Sequence, residues 1–98
     1  MTINKTQEGS SVKYAIAGRL DTTNAPEVET IINEELEGVT ELVFDFHDLD
    51  YISSAGLRVL LSAQKKMNTK GSMKVINCNE IINEIFDITG FSDILNIE

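Results

Sequence analysis

A run of apolar residues that changes within a few positions into a helical pattern constrains the fold of this chain most. Leu42-Val43-Phe44-Asp45-Phe46 is mostly apolar, which is typical of a strand in the middle of a sheet. An acidic turn follows at Asp48–Asp50, and the apolar residues between Ser54 and Gly71 then keep helical spacing. The apolar surfaces of such a strand and helix must cover each other, so the sequence predicts a layered α/β domain.

The rest of the chain continues this alternation of strand and helix patterns. Strands are predicted at Ile3–Gln7 and Val12–Ile16, and a helix is predicted to begin after Asn24, with Glu27 at its third position. The later elements are a strand at Met73–Ile76, a helix capped by Asn79 and ended by Gly90, and a helical turn with a last strand over Phe91–Ile97. The predicted order, ββαβαβαβ, implies a mixed, mainly parallel sheet with packed helices.

Length and composition favour a small cytoplasmic protein. The chain has 98 residues, and we expect residues 1–98 to form a single domain. No apolar run approaches the roughly 20 residues that cross a bilayer. Met1–Lys5 lacks the apolar stretch of a signal peptide, and Cys78, the sole cysteine, cannot form an internal disulfide. Together these features predict a cytoplasmic location.

The charge of the chain predicts what kind of molecule it binds. Sixteen acidic residues stand against eight basic ones, which gives a formal net charge of −8. Such a surface is repelled by nucleic-acid phosphates and by anionic membranes. We therefore expect a protein partner, no nucleic acid and no membrane, and a monomer when the protein is free.

Two adjacent serines, Ser53 and Ser54, precede the helical pattern that follows the central strand. Serine is a favoured N-cap, and the residues alone favour that interpretation. A helix N-terminus also has unpaired N–H groups and a dipole that favours negative charge, so a phosphate on a serine there is tolerated. Arg58 lies one helical turn after Ser54, where its side chain could neutralise part of that phosphate.

Three segments resemble motifs of one protein family. They are Gly18-Arg19-Leu20-Asp21, Tyr51-Ile52-Ser53-Ser54-Ala55-Gly56-Leu57 and Asp87-Ile88-Thr89-Gly90-Phe91. In this order and spacing, the chain resembles the STAS-domain anti-sigma factor antagonists over nearly its full length. The resemblance implies the STAS fold, with the first motif forming a loop.

The resemblance also implies a switch. In the family, a serine kinase that is also the anti-sigma factor phosphorylates one serine, which aligns with Ser54. Ser53 stands where many antagonists have aspartate, and it leaves a second hydroxyl beside the candidate acceptor. The implied function is that the dephosphorylated form binds the kinase and frees a sigma factor. Phosphorylation of Ser54 ends this binding, and a serine phosphatase restores it. We expect the cap and acceptor roles to coexist on Ser54.

The resemblance and the helix start together predict a partner-binding surface. Its predicted residues are Asp21, Thr22, Ser53, Ser54, Gly56, Leu57 and Arg58. Gly56 is expected to allow close approach to the backbone near the serine. Asp21 is equally well interpreted as an ordinary loop acid before a helix.

Two alternative functions exist for a chain of this kind. A STAS domain can also be a docking subunit of a transporter or a stress-signalling complex, without obligatory phosphorylation. An enzyme would need a substrate pocket beside Ser54 and His47, but His47 is the only histidine and no G-x-S-x-G motif is present. Asp45, Asp48 and Asp50 lie too close together in sequence to suggest a magnesium site. We therefore expect no catalytic residue, no metal and no cofactor, since ATP would belong to the kinase.

Overall fold

One mixed sheet and three helices make up the computed structural model, which describes residues 1–98. The strands are β1 (Thr2–Glu8), β2 (Ser11–Leu20), β3 (Glu41–Asp45), β4 (Leu49–Ile52) and β5 (Ser72–Ile76). The helices are α1 (Ala25–Glu35), α2 (Ser54–Asn68) and α3 (Glu80–Thr89), and a 3-10 turn covers Phe91–Asp93.

The sheet is mainly parallel and centred on the long strand β2. The strand order is β1-β2-β3-β5, with β4 also paired to β2. Only β1 is antiparallel to its neighbour. β3 pairs with Ser11–Ala15 in the first half of β2, and β4 pairs with Gly18–Leu20 at its end. The predicted α/β class and mixed, mainly parallel sheet are confirmed.

The core lies on one face of this sheet. Alternate strand residues are buried there, and the aromatic rings of Tyr14, Phe44 and Phe46 follow one another with centroids 6.1 and 6.0 Å apart. Across the opposite face, Lys13, Val43 and Lys74 lie side by side on three neighbouring strands. None of the helices combines the length and apolar character of a bilayer-spanning helix.

The order of elements differs from the prediction at three places. β4 was predicted as an acidic turn, because Asp48 directly precedes it and Asp50 lies within it. The first motif was predicted as a loop, but Gly18–Leu20 continue β2. The last strand is reduced to a single parallel bridge between Val75 and Ile97. Short segments such as these are determined by pairing partners far away in the sequence, which local patterns do not contain.

Two predicted helix starts are confirmed, but their side chains behave differently. Asn79 caps α3, since its Oδ1 accepts a hydrogen bond from the Ile82 N–H at 2.8 Å. Asn24 precedes α1 as predicted but does not cap it. Its amide group instead accepts from the Asp21 N–H and donates to the Arg19 carbonyl, so it holds the preceding loop.

Candidate functional site

The ends of β2 and β4 bring the predicted site residues together. Leu20 is paired with Ile52, and the Ser53 N–H donates to the Leu20 carbonyl at 2.9 Å. The residues that follow, Asp21 and Thr22 on one side and Ser53 and Ser54 on the other, therefore leave the sheet at the same end. Parallel strands place such groups at one edge of a sheet, where ligands commonly bind in α/β proteins.

The two serines have different positions at the start of α2. Ser53 is the N-cap, with extended backbone (φ −93°, ψ 176°), and its Oγ accepts from the Gly56 N–H at 3.5 Å. Ser54 is the first helical residue and is exposed. The expectation that Ser54 also caps the helix is wrong, because the chain turns from extended to helical backbone at Ser53. The cap therefore occupies one hydroxyl and leaves the other at the surface.

Gly56 and Leu57 lie on the inner side of α2. Both are buried. A Cβ on Gly56 would lie 2.7 Å from Ile52 Cγ1 and 2.9 Å from Leu20 Cγ. The close approach that this glycine permits is thus to strands of the same chain, and its predicted role as a partner contact is corrected. Gly56 and Leu57 instead fix the position of the helix start beneath Ser54.

Asp21 shapes the loop that faces the helix start. Its Oδ1 accepts hydrogen bonds from the Thr23 hydroxyl (2.6 Å) and backbone N–H (3.0 Å). These bonds, the hydroxyl foremost, hold the pKa of Asp21 below its usual value. The Asp21 N–H in turn donates to Asn24 Oδ1 at 2.8 Å. Asp21 therefore has a clear loop-forming role, and its binding role stays a prediction.

Arg19 and Tyr51 form a contact near this site that local sequence patterns do not predict. They are partners in the β2–β4 register, and the Arg19 guanidinium carbon lies 4.5 Å from the centre of the Tyr51 ring. This is cation–π geometry. Arg19 Nε also lies 3.9 Å from Asp21 Oδ2. Both residues belong to the motif segments noted above, but the strand pairing that joins them was the part not predicted.

An open groove between α1 and α2 lies next to Ser54. It encloses about 370 Å³ and is lined by Thr22, Ala25, Pro26, Glu29, Ala55, Arg58 and Val59. The structure thus brings Thr22 and Arg58, two of the predicted residues, to one concave surface. Arg58 is exposed and takes part in none of the ion pairs of the chain. Its guanidinium is therefore available to an added anion.

His47 lies away from this site. It is exposed in the turn before β4, where its Nδ1 lies 3.0 Å from Asp48 Oδ1, whereas Ser54 follows the other end of β4. The structure therefore does not combine Ser54 and His47 in one pocket. No three histidine, cysteine, aspartate or glutamate side chains come together as a group that could hold a metal ion.

Comparisons with known proteins show which family the chain belongs to. The STAS domain family model matches residues 2–98. The anti-sigma-B factor antagonist of Bacillus subtilis is 30% identical over 98 residues, which cover 99% of this chain and 90% of that protein. The chain belongs to the STAS-domain family of anti-sigma factor antagonists. The resemblance of the three motifs is thereby confirmed at the level of the family.

Solved structures share the fold of this STAS domain. SpoIIAA of Bacillus, an anti-sigma factor antagonist, aligns in its unphosphorylated form with a TM-score of 0.73 and 16% identity, over 99% of this chain and 87% of that one. Its phosphorylated form aligns with a TM-score of 0.69 and 16% identity, over 99% and 91%. A sulfate transporter family protein from Wolinella succinogenes aligns with a TM-score of 0.80 and 15% identity, over 94% and 76%. At these identities the likeness shows the fold alone.

Proposed function

We propose that residues 1–98 act as one cytoplasmic STAS domain whose unphosphorylated form binds an anti-sigma factor serine kinase and so releases a sigma factor. Phosphorylation of Ser54 by that kinase ends the binding, and a serine phosphatase restores it. The domain acts by binding and carries no catalytic residue of its own. Its contact surface consists of Asp21, Thr22, Ser53, Ser54 and Arg58, with Gly56 and Leu57 as its buried support.

The exposure of Ser54 at the first position of α2 is the observation that carries this proposal. A kinase can reach the hydroxyl without local unfolding. The neighbouring Ser53 keeps the helix capped through its Gly56 contact. Modification of Ser54 therefore leaves the cap and the buried side of the helix unchanged.

A phosphate on Ser54 changes the surface more than the fold. It carries about −1.5 to −2 charges and three strong acceptor oxygens. N–H groups of the first turn lack partners inside the helix, and the dipole there favours an anion. Arg58, one turn later and free of ion pairs, can neutralise part of the charge. The remaining charge and bulk block a partner that docks on this end of the sheet.

The relatives support the proposal in two ways. The Bacillus subtilis protein, related over nearly the whole chain, is an anti-sigma-B factor antagonist. SpoIIAA, which shares the fold, is known in a phosphorylated form. A phosphorylated STAS domain is thus compatible with the fold, as the exposed position of Ser54 leads one to expect.

Site-resolved mass spectrometry after incubation in host cell extract with magnesium and ATP tests the proposal. We expect one phosphate on Ser54 in the wild type and in Ser53→Ala, and none in Ser54→Ala. Circular dichroism of the three proteins checks that each is folded, because Ser53→Ala removes a cap. Phosphate on Ser53 would overturn the choice of acceptor. No phosphate in an extract with demonstrated kinase activity would refute the switch.

The second candidate is a docking subunit without phosphorylation. The fold likeness to the Wolinella succinogenes transporter family protein favours it. If the chain is a docking subunit, we expect Ser54→Asp to leave partner binding unchanged and the neighbouring genes to encode a transporter. If the chain is the switch, we expect Ser54→Asp to weaken partner binding and the neighbouring genes to encode a small serine kinase and a sigma factor.

A further inference from the structure

The outer face of α3 exposes isoleucines at helical spacing. Ile81, Ile85 and Ile88 follow one another at intervals of four and three residues, which places them on one side of the helix. The other side is buried through Ile82 and Phe86. Ile81 is 57% exposed and Ile88 is 77% exposed, while Ile85 is half-buried against the core. We refer to Ile81, Ile85 and Ile88 as the isoleucine face.

This exposure is concentrated in one part of the molecule. Only Met1, Ile81, Ile88 and Ile94 are large apolar residues with exposed side chains, and all but Met1 belong to α3 or directly follow the 3-10 turn that packs against it. Scattered exposed apolar residues are ordinary, but a cluster marks an interaction surface. Helix formation gives no reason for them, because isoleucine has a lower helix propensity than leucine or alanine.

Acidic residues without basic partners flank the isoleucine face along one side. Glu80, Glu84 and Asp87 lie on α3, Asp93 lies in the 3-10 turn, and all are exposed. Lys74 is the last basic residue of the chain, so α3 and the 3-10 turn carry no basic residue of their own. None of these four carboxylates takes part in an ion pair. The surface thus combines an apolar stripe with a negatively charged flank beside it.

We propose that the isoleucine face binds an amphipathic helix of a partner protein, with apolar residues along one side flanked by lysine or arginine. Such a helix buries the isoleucines and places its cations against the acidic flank, as amphipathic helices do when they bind grooves and faces. A second copy of this chain carries the same net charge of −8 and is repelled. An anionic membrane repels the acidic flank as well. Charge therefore selects a basic protein segment over both.

The isoleucine face is separate from the proposed phosphorylation site. Asn79, which caps α3, donates to the carbonyl of Leu49 at the beginning of β4, whereas Ser54 follows the end of that strand. A phosphate on Ser54 adds no charge to α3. Binding at this face is therefore independent of the switch, and the domain can stay attached to one partner while another is released.

Nuclear magnetic resonance titration with a synthetic amphipathic peptide tests the inference. The probe is a leucine- and lysine-containing peptide of about 18 residues, a length that allows helix formation. Its control has glutamate in place of every lysine. We expect amide shifts in residues 80–94 with the lysine peptide only. The double variant Ile81→Ser/Ile88→Ser should bind about tenfold more weakly, in keeping with two apolar side chains left unburied.

Matched charge variants separate this site from general attraction to an acidic protein. Glu80→Gln/Glu84→Gln/Asp87→Asn should lose several-fold in affinity, whereas Glu8→Gln/Glu34→Gln/Glu37→Gln, equal in charge and exposed elsewhere, should not. The Ser54→Asp variant should bind the peptide as tightly as the wild type does. The peptide titration therefore tests the isoleucine face even if the proposed phosphorylation of Ser54 is wrong. Shifts away from residues 80–94, equal loss in both charge variants, or self-association abolished by Ile88→Ser would each overturn the proposal.

Discussion

The start of α2 and the outer face of α3 expose opposite kinds of chemistry on one small domain. At the start of α2, the exposed groups are the hydroxyl of Ser54 and nearby polar residues. On α3, they are isoleucines with acidic residues along one side. In the proposed switch, one phosphate on Ser54 changes the charge of the first surface and adds none to the second. The two proposed contacts, one regulated and one not, are thus kept apart on different helices.

Both helices are nevertheless fixed by the same short strand. β4 leads directly into the cap of α2, where the Ser53 N–H donates to the Leu20 carbonyl. Its first residue, Leu49, accepts a hydrogen bond from Asn79, the cap of α3. A rigid connection of this kind lets the exposed groups differ while both helix starts stay in place.

The largest predicted effect separates the two faces of α3. Ile82→Ala should lower the free energy of unfolding by about 3 kcal/mol, because it leaves a cavity in the core. Ile88→Ala, the same substitution on the outer face, should change it by no more than about 0.5 kcal/mol. Urea unfolding of both variants measures the difference. Similar losses would mean that the isoleucine face is part of the packed interior, and the comparison would fail.

Substitution of Gly56 should give the next largest effect. Gly56→Val should lower the free energy of unfolding by up to about 3 kcal/mol, because the added atoms clash with Ile52 and Leu20. The control is Ala55→Val, which enlarges the neighbouring residue where it lines the open groove. Thermal unfolding should show a clear loss for the first variant and little change for the second. A well-tolerated valine at position 56 would show that the start of α2 is loosely held.

The two helix caps should differ in strength. Asn79→Ala should cost about 2 kcal/mol, because it removes a 2.8 Å cap and the bond to Leu49. Ser53→Ala should cost about 1 kcal/mol or less, since its cap contact is long at 3.5 Å. Chemical unfolding of both variants provides the comparison. The reverse order would place the stronger attachment at the start of α2.

The smallest predicted effect is the dependence of stability on the charge of Asp21. Its pKa is lower in the folded protein than in the unfolded chain, so its stabilising contribution is present at neutral pH. The contribution is lost as the pH falls through the folded-state pKa. The midpoint temperature of wild type should therefore exceed that of Asp21→Asn at pH 7, and the gap should narrow at pH 3. A gap that widens in acid would contradict the assigned hydrogen bonds.

The sequence predicted elements with strong local signals. Asn79 and Gly90 mark both ends of α3, and the apolar run before the acidic turn is a central strand. β4 was missed because a four-residue segment that follows Asp48 and contains Asp50 resembles a turn until its pairing with β2 is known. The choice of Ser53 over Ser54 as the cap depends on where the backbone becomes helical, which two identical side chains do not reveal.

The candidate site was also only partly predictable, because some of its features depend on long-range strand pairing. Asp21, Thr22 and Ser54 were predicted to share one surface, and they do lie near one end of the sheet. The burial of Gly56 and the contact of Arg19 with Tyr51 depend on strands brought together from distant parts of the sequence. The apolar pattern of α3 contained both inner and outer isoleucines, and only the packed structure tells them apart.

Binding of the phosphorylating kinase to phosphorylated and unphosphorylated protein, measured together with thermal unfolding, tests the central claim most directly. We predict that phosphate on Ser54 weakens binding by about 100-fold or more, which is close to 3 kcal/mol. The midpoint of unfolding should shift by only a few degrees, because Ser54 is exposed and Ser53 retains the cap. Equal affinity of the two forms, or loss of binding through unfolding of the phosphorylated form, would contradict the account.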